Sequence, residues 1–243
     1  MALIIFVGSI ASGKTSMARI LKRILASRGF IAKYVDINVN HGFAYLLTRI
    51  ITSLLRYKYV GNYYLTIRFN NESFFCKYLY LMQLLDLLYI PIKYLISLKT
   101  FILFNKFRRR RYVALIDEYY LNSIVDYLYF TRKLCKLGND IKGIYKIFYD
   151  LAFRVVLLSL KKDKTLIICM NRTFKESIRG WILREKTLLI DVNHIVFRDL
   201  ATKIILKILK QYVGNNVSFK SYTVQDFTNI SKSIIEDILE FVN

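Results

Sequence analysis

Gly8, Gly13, Lys14 and Thr15 stand at the spacing G-x-x-x-x-G-K-[ST]. Each residue type suits one task, the wrapping of a phosphate chain. The glycines permit backbone angles that other residues resist, so consecutive N–H groups can curl around an anion. Lys14 would reach the outer phosphates, and the Thr15 hydroxyl would ligate a metal ion. Gly8, Ser9, Ile10, Ala11, Ser12, Gly13, Lys14, Thr15 and Ser16 are therefore expected to bind the phosphates of a nucleoside triphosphate, with ATP and Mg²⁺ as the expected ligands.

A second group follows the apolar run Val113-Ala-Leu-Ile116, which ends in Asp117-Glu118. A carboxylate at a strand end beside a phosphate loop can hold the water shell of Mg²⁺, so Thr15 and Asp117 form the expected metal pair. Glu118 could orient water, act as a base, bind an acceptor or face solvent. A third group lies in Asn171 to Arg184, where Arg179 and Arg184 could close over transferring phosphates and stabilise shifting negative charge. A solvated basic face explains the same spacing.

The elements that must position these residues are legible in the apolar pattern. Leu3 to Val7 is an unbroken apolar run, as expected of a parallel strand buried on both faces. Met17, Ile20, Leu21, Ile24 and Leu25 recur at helical spacing, and Gly29 stands where a helix stop belongs. Further strands are expected over Ile31 to Ile37, Tyr112 to Ile116, Leu166 to Met170 and near 217 to 224. Helices are expected between them: 43 to 56, a pair flanking Pro91 within 72 to 104, 119 to 136, 141 to 160, 174 to 186, 194 to 212 and from 227 onward. Alternating strands and helices imply right-handed crossovers and a sheet covered on both faces.

The chain has 243 residues and no Pro/Gly-rich linker, so one domain over 1–243 is expected. It should include a helical insertion over about 57–110 and a lid-like segment over about 172–187. Hydrophobic residues make up 55% of the chain, yet charges interrupt every stretch before it reaches about 20 apolar residues, which disfavours a spanning helix. Cys76, Cys135 and Cys169 have no metal spacing and read as reduced thiols of a cytoplasmic protein. The net charge of +21 suits polyanions. Its densest runs, Lys106 to Arg111 and Lys161 to Lys164, precede strands and so belong at the sheet edge remote from the phosphate loop. No nucleic-acid motif accompanies them, so nucleic acid or an anionic membrane surface is not the favoured partner. Self-association as a homodimer stays open.

The motifs GSIASGKT, VALID with the helix EYYLNSIVDYLYF, and the arginine-bearing lid-like segment resemble, in this order, the thymidylate kinase group of phosphate-loop kinases. The long helical stretch between strands two and three is similar to that of an archaeal-type branch. The resemblance implies an α/β fold of three layers with a five-stranded parallel sheet in the order 2-3-1-4-5. It implies that Gly8 to Thr15, with Lys14, carries the phosphates and Mg²⁺, that Asp117 supports the metal, that Arg179 or Arg184 belongs to the lid, and that a phosphoryl group passes from ATP to a nucleotide, nucleoside or similar small acceptor. Glu118 joins Lys14, Asp117, Arg179 and Arg184 in the candidate catalytic set on its position alone. Two acceptor-side signatures differ. Asp117-Glu118-Tyr119 stands where that group carries Asp-Arg-Tyr or Asp-Arg-Phe, and Asp36-Ile-Asn38 replaces its Glu-Pro pair. Asp36, Arg49 and Arg56 are the alternative acceptor contacts. A phosphate-loop ATPase or nucleotide switch, hydrolysing ATP through Asp117-Glu118, is the second reading.

Overall fold

The computed structural model describes residues 2–36, 42–60, 63–94, 96, 111–117, 120–136, 144–160, 164–185 and 191–242. Strand β1 (Ala2–Gly8) is buried along its whole length. It pairs in parallel with β3 (Tyr112–Asp117) on one side and β4 (Lys164–Asn171) on the other. Strands β2 (Ile31–Asp36) and β5 (Val217–Thr223) complete a parallel sheet in the order β2-β3-β1-β4-β5. This is the expected topology. The registers Phe6↔Asp117 and Gly8↔Met170 bring the ends of β1, β3 and β4 to one edge, from which the phosphate loop emerges.

Alternation along the strands feeds two cores. Leu3, Ile5 and Val7 face a cluster with α5 (Tyr120–Tyr129), α6 (Ile144–Leu160) and α8 (Val192–Tyr212). Ile4 and Phe6 face α1 (Lys14–Ser27) and α9 (Phe227–Val242). Strands buried on both faces need apolar residues at every position, which is why they read as continuous runs. Arg111, just before β3, and Lys164, the first residue of β4, lie at the sheet edge opposite the loop; 106–110 and 161–163 fall outside the described residues.

A third core lies in the insertion, where α2 (Phe43–Leu54), α3 (Tyr63–Asn70) and α4 (Glu72–Tyr94) pack with the end of α5 and its π turn (Phe130–Leu134). Two corrections belong here. The helix expected to break at Pro91 runs through it to Tyr94. Pro91 falls in the last turn, so no further helical turn follows the backbone bond it forgoes. Cys76 and Cys135, read as separate thiols, form a disulfide that ties α4 to the residue after the π turn. Their separation of 59 residues follows no local spacing rule, so only packing brings them together. The disulfide also removes the argument for a reducing compartment that rested on cysteine usage. Cys169 is free and buried. Among the described residues no helix is long and apolar enough to cross a membrane.

The third core holds a buried acid. Asp86 on α4 is 1% exposed and accepts hydrogen bonds from the Tyr64 and Tyr127 hydroxyls. Burial pushes its carboxyl from 3.8 up to about 7, against the opposing pull of both hydroxyls and the Ala44 backbone. The folded chain thus holds this proton more tightly than the unfolded chain. Its contribution to stability is full below the ordinary value, declines as pH rises toward about 7 and is flat above. At about 1.4 kcal/mol per pH unit, the loss across that window is on the order of 4 kcal/mol. Unfolding of the wild type and Asp86→Asn by urea across the range should show a declining difference curve. Parallel curves would place the ionised carboxylate in the native state throughout.

Candidate active site

The phosphate loop joins β1 to α1 through left-handed backbone at Gly8 (φ 119°), Ala11 (φ 56°) and Gly13 (φ 88°). A Cβ at position 8 would lie 2.3 Å from the Met170 carbonyl oxygen, and one at position 13 would lie 2.6 Å from the Phe227 ring. Only glycine fits either place. Helix α1 begins at Lys14, and its first turn contains no acidic side chain, so the positive end of the helix dipole faces the loop. Lys14 is 6% exposed. Its Nζ donates to the Ser9 carbonyl at 2.7 Å and lies 3.4 Å from that of Gly8 and 3.5 Å from the Ser12 hydroxyl. The ammonium group therefore sits over the loop that would hold the phosphates.

The Thr15 hydroxyl donates to Asp117 Oδ2, and the Tyr34 hydroxyl reaches the same oxygen at 3.1 Å. Asp117 is 2% exposed. This pair fits Mg²⁺: both are hard oxygen donors, one is anionic, and they already touch beside the helix N-terminus. Among the described residues no group of three or more His, Cys, Asp or Glu side chains could hold a metal by itself, so phosphate oxygens and water would complete the shell. Asp36 stands opposite Asp117 in the β2–β3 register. Glu118 lies outside the described residues.

The lid-like segment is α7 (Phe174–Glu185), seated against the loop. Ile10 of the loop packs with Trp181 of α7 and Ile195 of α8. Gly180 allows the approach, since a Cβ there would lie 2.5 Å from that of Ala11. Arg172 Nη1 donates to the Ala11 carbonyl at 2.7 Å. Arg179 is exposed on the same helix, and Arg184 lies in its last turn. Arg49 is exposed on α2, and Arg56 is exposed just beyond it at φ 51°. Among the described residues neither makes an ion pair, and neither is brought to Asp117.

Sequence reasoning passed over several polar residues that pair between elements. The Ser9 hydroxyl donates to Asp199 Oδ1 at 2.7 Å and accepts from the Arg172 N–H at 3.0 Å. On α5, Asp126 bonds His194 Nε2 at 2.9 Å and pairs with Arg198 at 3.4 Å. Burial would raise the Asp126 carboxyl, but Arg198 and His194 outweigh it, with a share from Lys14, and hold it below its ordinary value. Arg68 on α3 is held by Asp191 and lies near the Tyr129 ring. The available signal was the i, i+4 pairing of His194 with Arg198 on one helix face, which spacing alone could not aim at α5.

Comparison with known structures agrees with this architecture. A deoxyadenosine kinase from M. mycoides with bound dATP superposes with a TM-score of 0.58 at 15% identity, over 99% of this chain and 100% of that one. The same enzyme with bound dCTP gives 0.57 at 15% identity, over 99% of each chain. A thymidylate kinase from Candida albicans gives 0.56 at 12% identity, over 98% of this chain and 91% of that one. The fold is that of the phosphate-loop nucleotide kinases. No protein-family profile and no curated protein sequence matches the chain. Within this kinase fold, the loop, Asp117 and α7 occupy one edge of the sheet, and the insertion helices rise beside it.

Proposed function

We propose that this chain is an ATP-dependent phosphotransferase acting on a small acceptor, with a nucleoside favoured over a nucleoside monophosphate. The observation that carries the reading is Lys14 Nζ held over the loop while Thr15 and Asp117 lie bonded beside it. The similarity to a deoxyadenosine kinase and a thymidylate kinase supports a nucleoside or nucleotide as acceptor. The acceptor side favours an uncharged group. Glu118 follows Asp117, Asp36 stands in register with it, and carboxylates repel an acceptor phosphate. The buried arginines Arg68 and Arg198 are held by Asp191 and Asp126. An acceptor phosphate would instead have to recruit Arg49 or Arg56 from the surface.

Catalysis in this reading is positioning and electrostatics. The loop N–H groups, the helix dipole and Lys14 hold the triphosphate. Mg²⁺ at Thr15 and Asp117 would neutralise phosphate charge when bound. The acceptor hydroxyl oxygen bonds to the γ-phosphorus as the bond to the β–γ bridging oxygen breaks, and ADP leaves. Asp36 or Glu118 takes the hydroxyl proton. In this reading residues 1–243 act as one unit, with a helical insertion over about 57–110 and a lid-like segment over about 172–187.

ATP consumption measured with and without a panel of deoxynucleosides and nucleoside monophosphates tests the proposal. Turnover should depend on a nucleoside and be slow without one. Fast hydrolysis without acceptor, abolished by Glu118→Gln, would make the chain an ATPase with Glu118 as the base. The lid arginines have their own expected result. Arg179→Ala and Arg184→Ala should each lower kcat by about a hundredfold while ATP affinity changes little. Unchanged kcat in both returns them to a solvated face.

A further inference from the structure

A cavity of about 390 Å³ opens on the α8 face of the sheet between β4 and β5. It exists because α8 packs toward β1, while β5 is an edge strand that the helix does not fully cover. The floor is apolar, formed by Ile167, Leu206 and the Phe219 ring. The rim is cationic. Lys203, Lys207 and Lys210 recur at i, i+4 and i+7 on α8, so one face of the helix carries all three over about 10 Å of rise. Lys220 of β5 also lines the cavity, but its ammonium pairs with Asp237 of α9, which packs on the other face of the sheet.

The charges are not balanced. Lys203 pairs with Asp199 at 2.7 Å and Lys220 with Asp237 at 3.1 Å. Lys210 lies 5.1 Å from the centre of the Phe219 ring, and among the described residues Lys207 has no partner. At the loop end of the cavity, Asn171 donates to the Ser221 hydroxyl at 3.0 Å. A volume in the small-ligand range, an apolar floor and an excess of cations together select a compact organic anion.

We infer that this cavity binds an organic phosphate with an apolar body, and that the bound anion weakens nucleotide binding at the phosphate loop. The body covers Phe219, Leu206 and Ile167, and the phosphate engages Lys207 with Lys203 or Lys210. The connection to the loop is direct. Asp199 accepts from the Ser9 hydroxyl through one oxygen and from Lys203 through the other. An anion that draws Lys203 away leaves Asp199 uncompensated beside the loop, which raises the local negative potential where the triphosphate must sit. By linkage, nucleotide at the loop weakens the anion by the same factor.

The probe is 1-naphthyl phosphate, titrated calorimetrically into the full chain, with inorganic phosphate and neutral 1-naphthylmethanol as controls. This binding arm is independent of the phosphotransfer reading; the coupling arm rests on nucleotide binding at the loop. We expect the probe to bind at least tenfold tighter than either control, and Lys207→Glu/Lys210→Glu to weaken it at least tenfold. If charge reversal unfolds the chain, Lys207→Gln/Lys210→Gln makes the same test. A non-hydrolysable ATP analogue should weaken the probe by about threefold to tenfold and then plateau, and Lys203→Met should flatten that coupling. Equal binding of either control, absence of binding, or affinity unchanged in the lysine variant would overturn the assignment. So would loss of the probe that deepens with every increase in analogue, because the probe would then occupy the phosphate loop.

Discussion

Lys14→Ala should abolish productive nucleotide binding, lowering kcat/KM for ATP by about a thousandfold or more while the chain stays folded. The ammonium group is nearly buried and is held by backbone carbonyls of the loop it serves, so its charge is already in place before a nucleotide arrives. Preorganised charge costs no rearrangement when the phosphates bind, which makes its removal expensive. The fold should survive because no strand core depends on Lys14; Met17, Ala18 and Leu21 carry the packing of α1. Mg-ATP titration of the variant, with circular dichroism as the control for folding, decides it. A folded variant that binds Mg-ATP as the parent does would refute the assignment of residues 8–15 as a nucleotide site.

Asp117→Asn should raise the Mg²⁺ concentration needed for half-maximal turnover by ten- to a hundredfold. The substitution keeps a side-chain carbonyl that can accept from Thr15 and Tyr34, so the local geometry is retained and the charge alone is lost. The expected loss is therefore electrostatic rather than structural, and excess Mg²⁺ should restore part of the turnover. The same loss at all Mg²⁺ concentrations would instead make Asp117 a brace for Thr15 and Tyr34. Because Thr15 and Asp117 are 102 residues apart, the pair also reports on the β1–β3 register that joins them.

The two variants probe features that were legible to different degrees. The loop was readable because its chemistry is consecutive: glycine angles, a lysine and a hydroxyl must follow one another within eight residues. Asp117 was readable because a buried parallel strand forces an apolar run, and the first charge after it marks the strand end. Arg172 was not readable. Its contact with Ala11 spans 161 residues and depends on α7 lying against the loop through Gly180. Arg49 and Arg56 drew attention by charge and spacing, yet both are exposed on or just after α2. A helix periodicity tells which residues share a face, and says nothing about what that face meets.

By itself, the sequence determined the succession of strands and helices along the chain, the glycine-containing loop between β1 and α1, and the parallel character of the sheet. Those features follow from local rules, because backbone angles, strand burial and helix caps are decided within a few neighbouring residues. Only the tertiary structure decided that Asp199 meets Ser9 across 190 residues and that Cys76 meets Cys135. It also decided that Asp86 is buried between two tyrosines and that the lysine face of α8 borders a cavity beside β5. Each depends on where two elements come to rest against each other. That placement is set by the packing of whole faces, so residues that meet there share no signal in the sequence until the chain is folded.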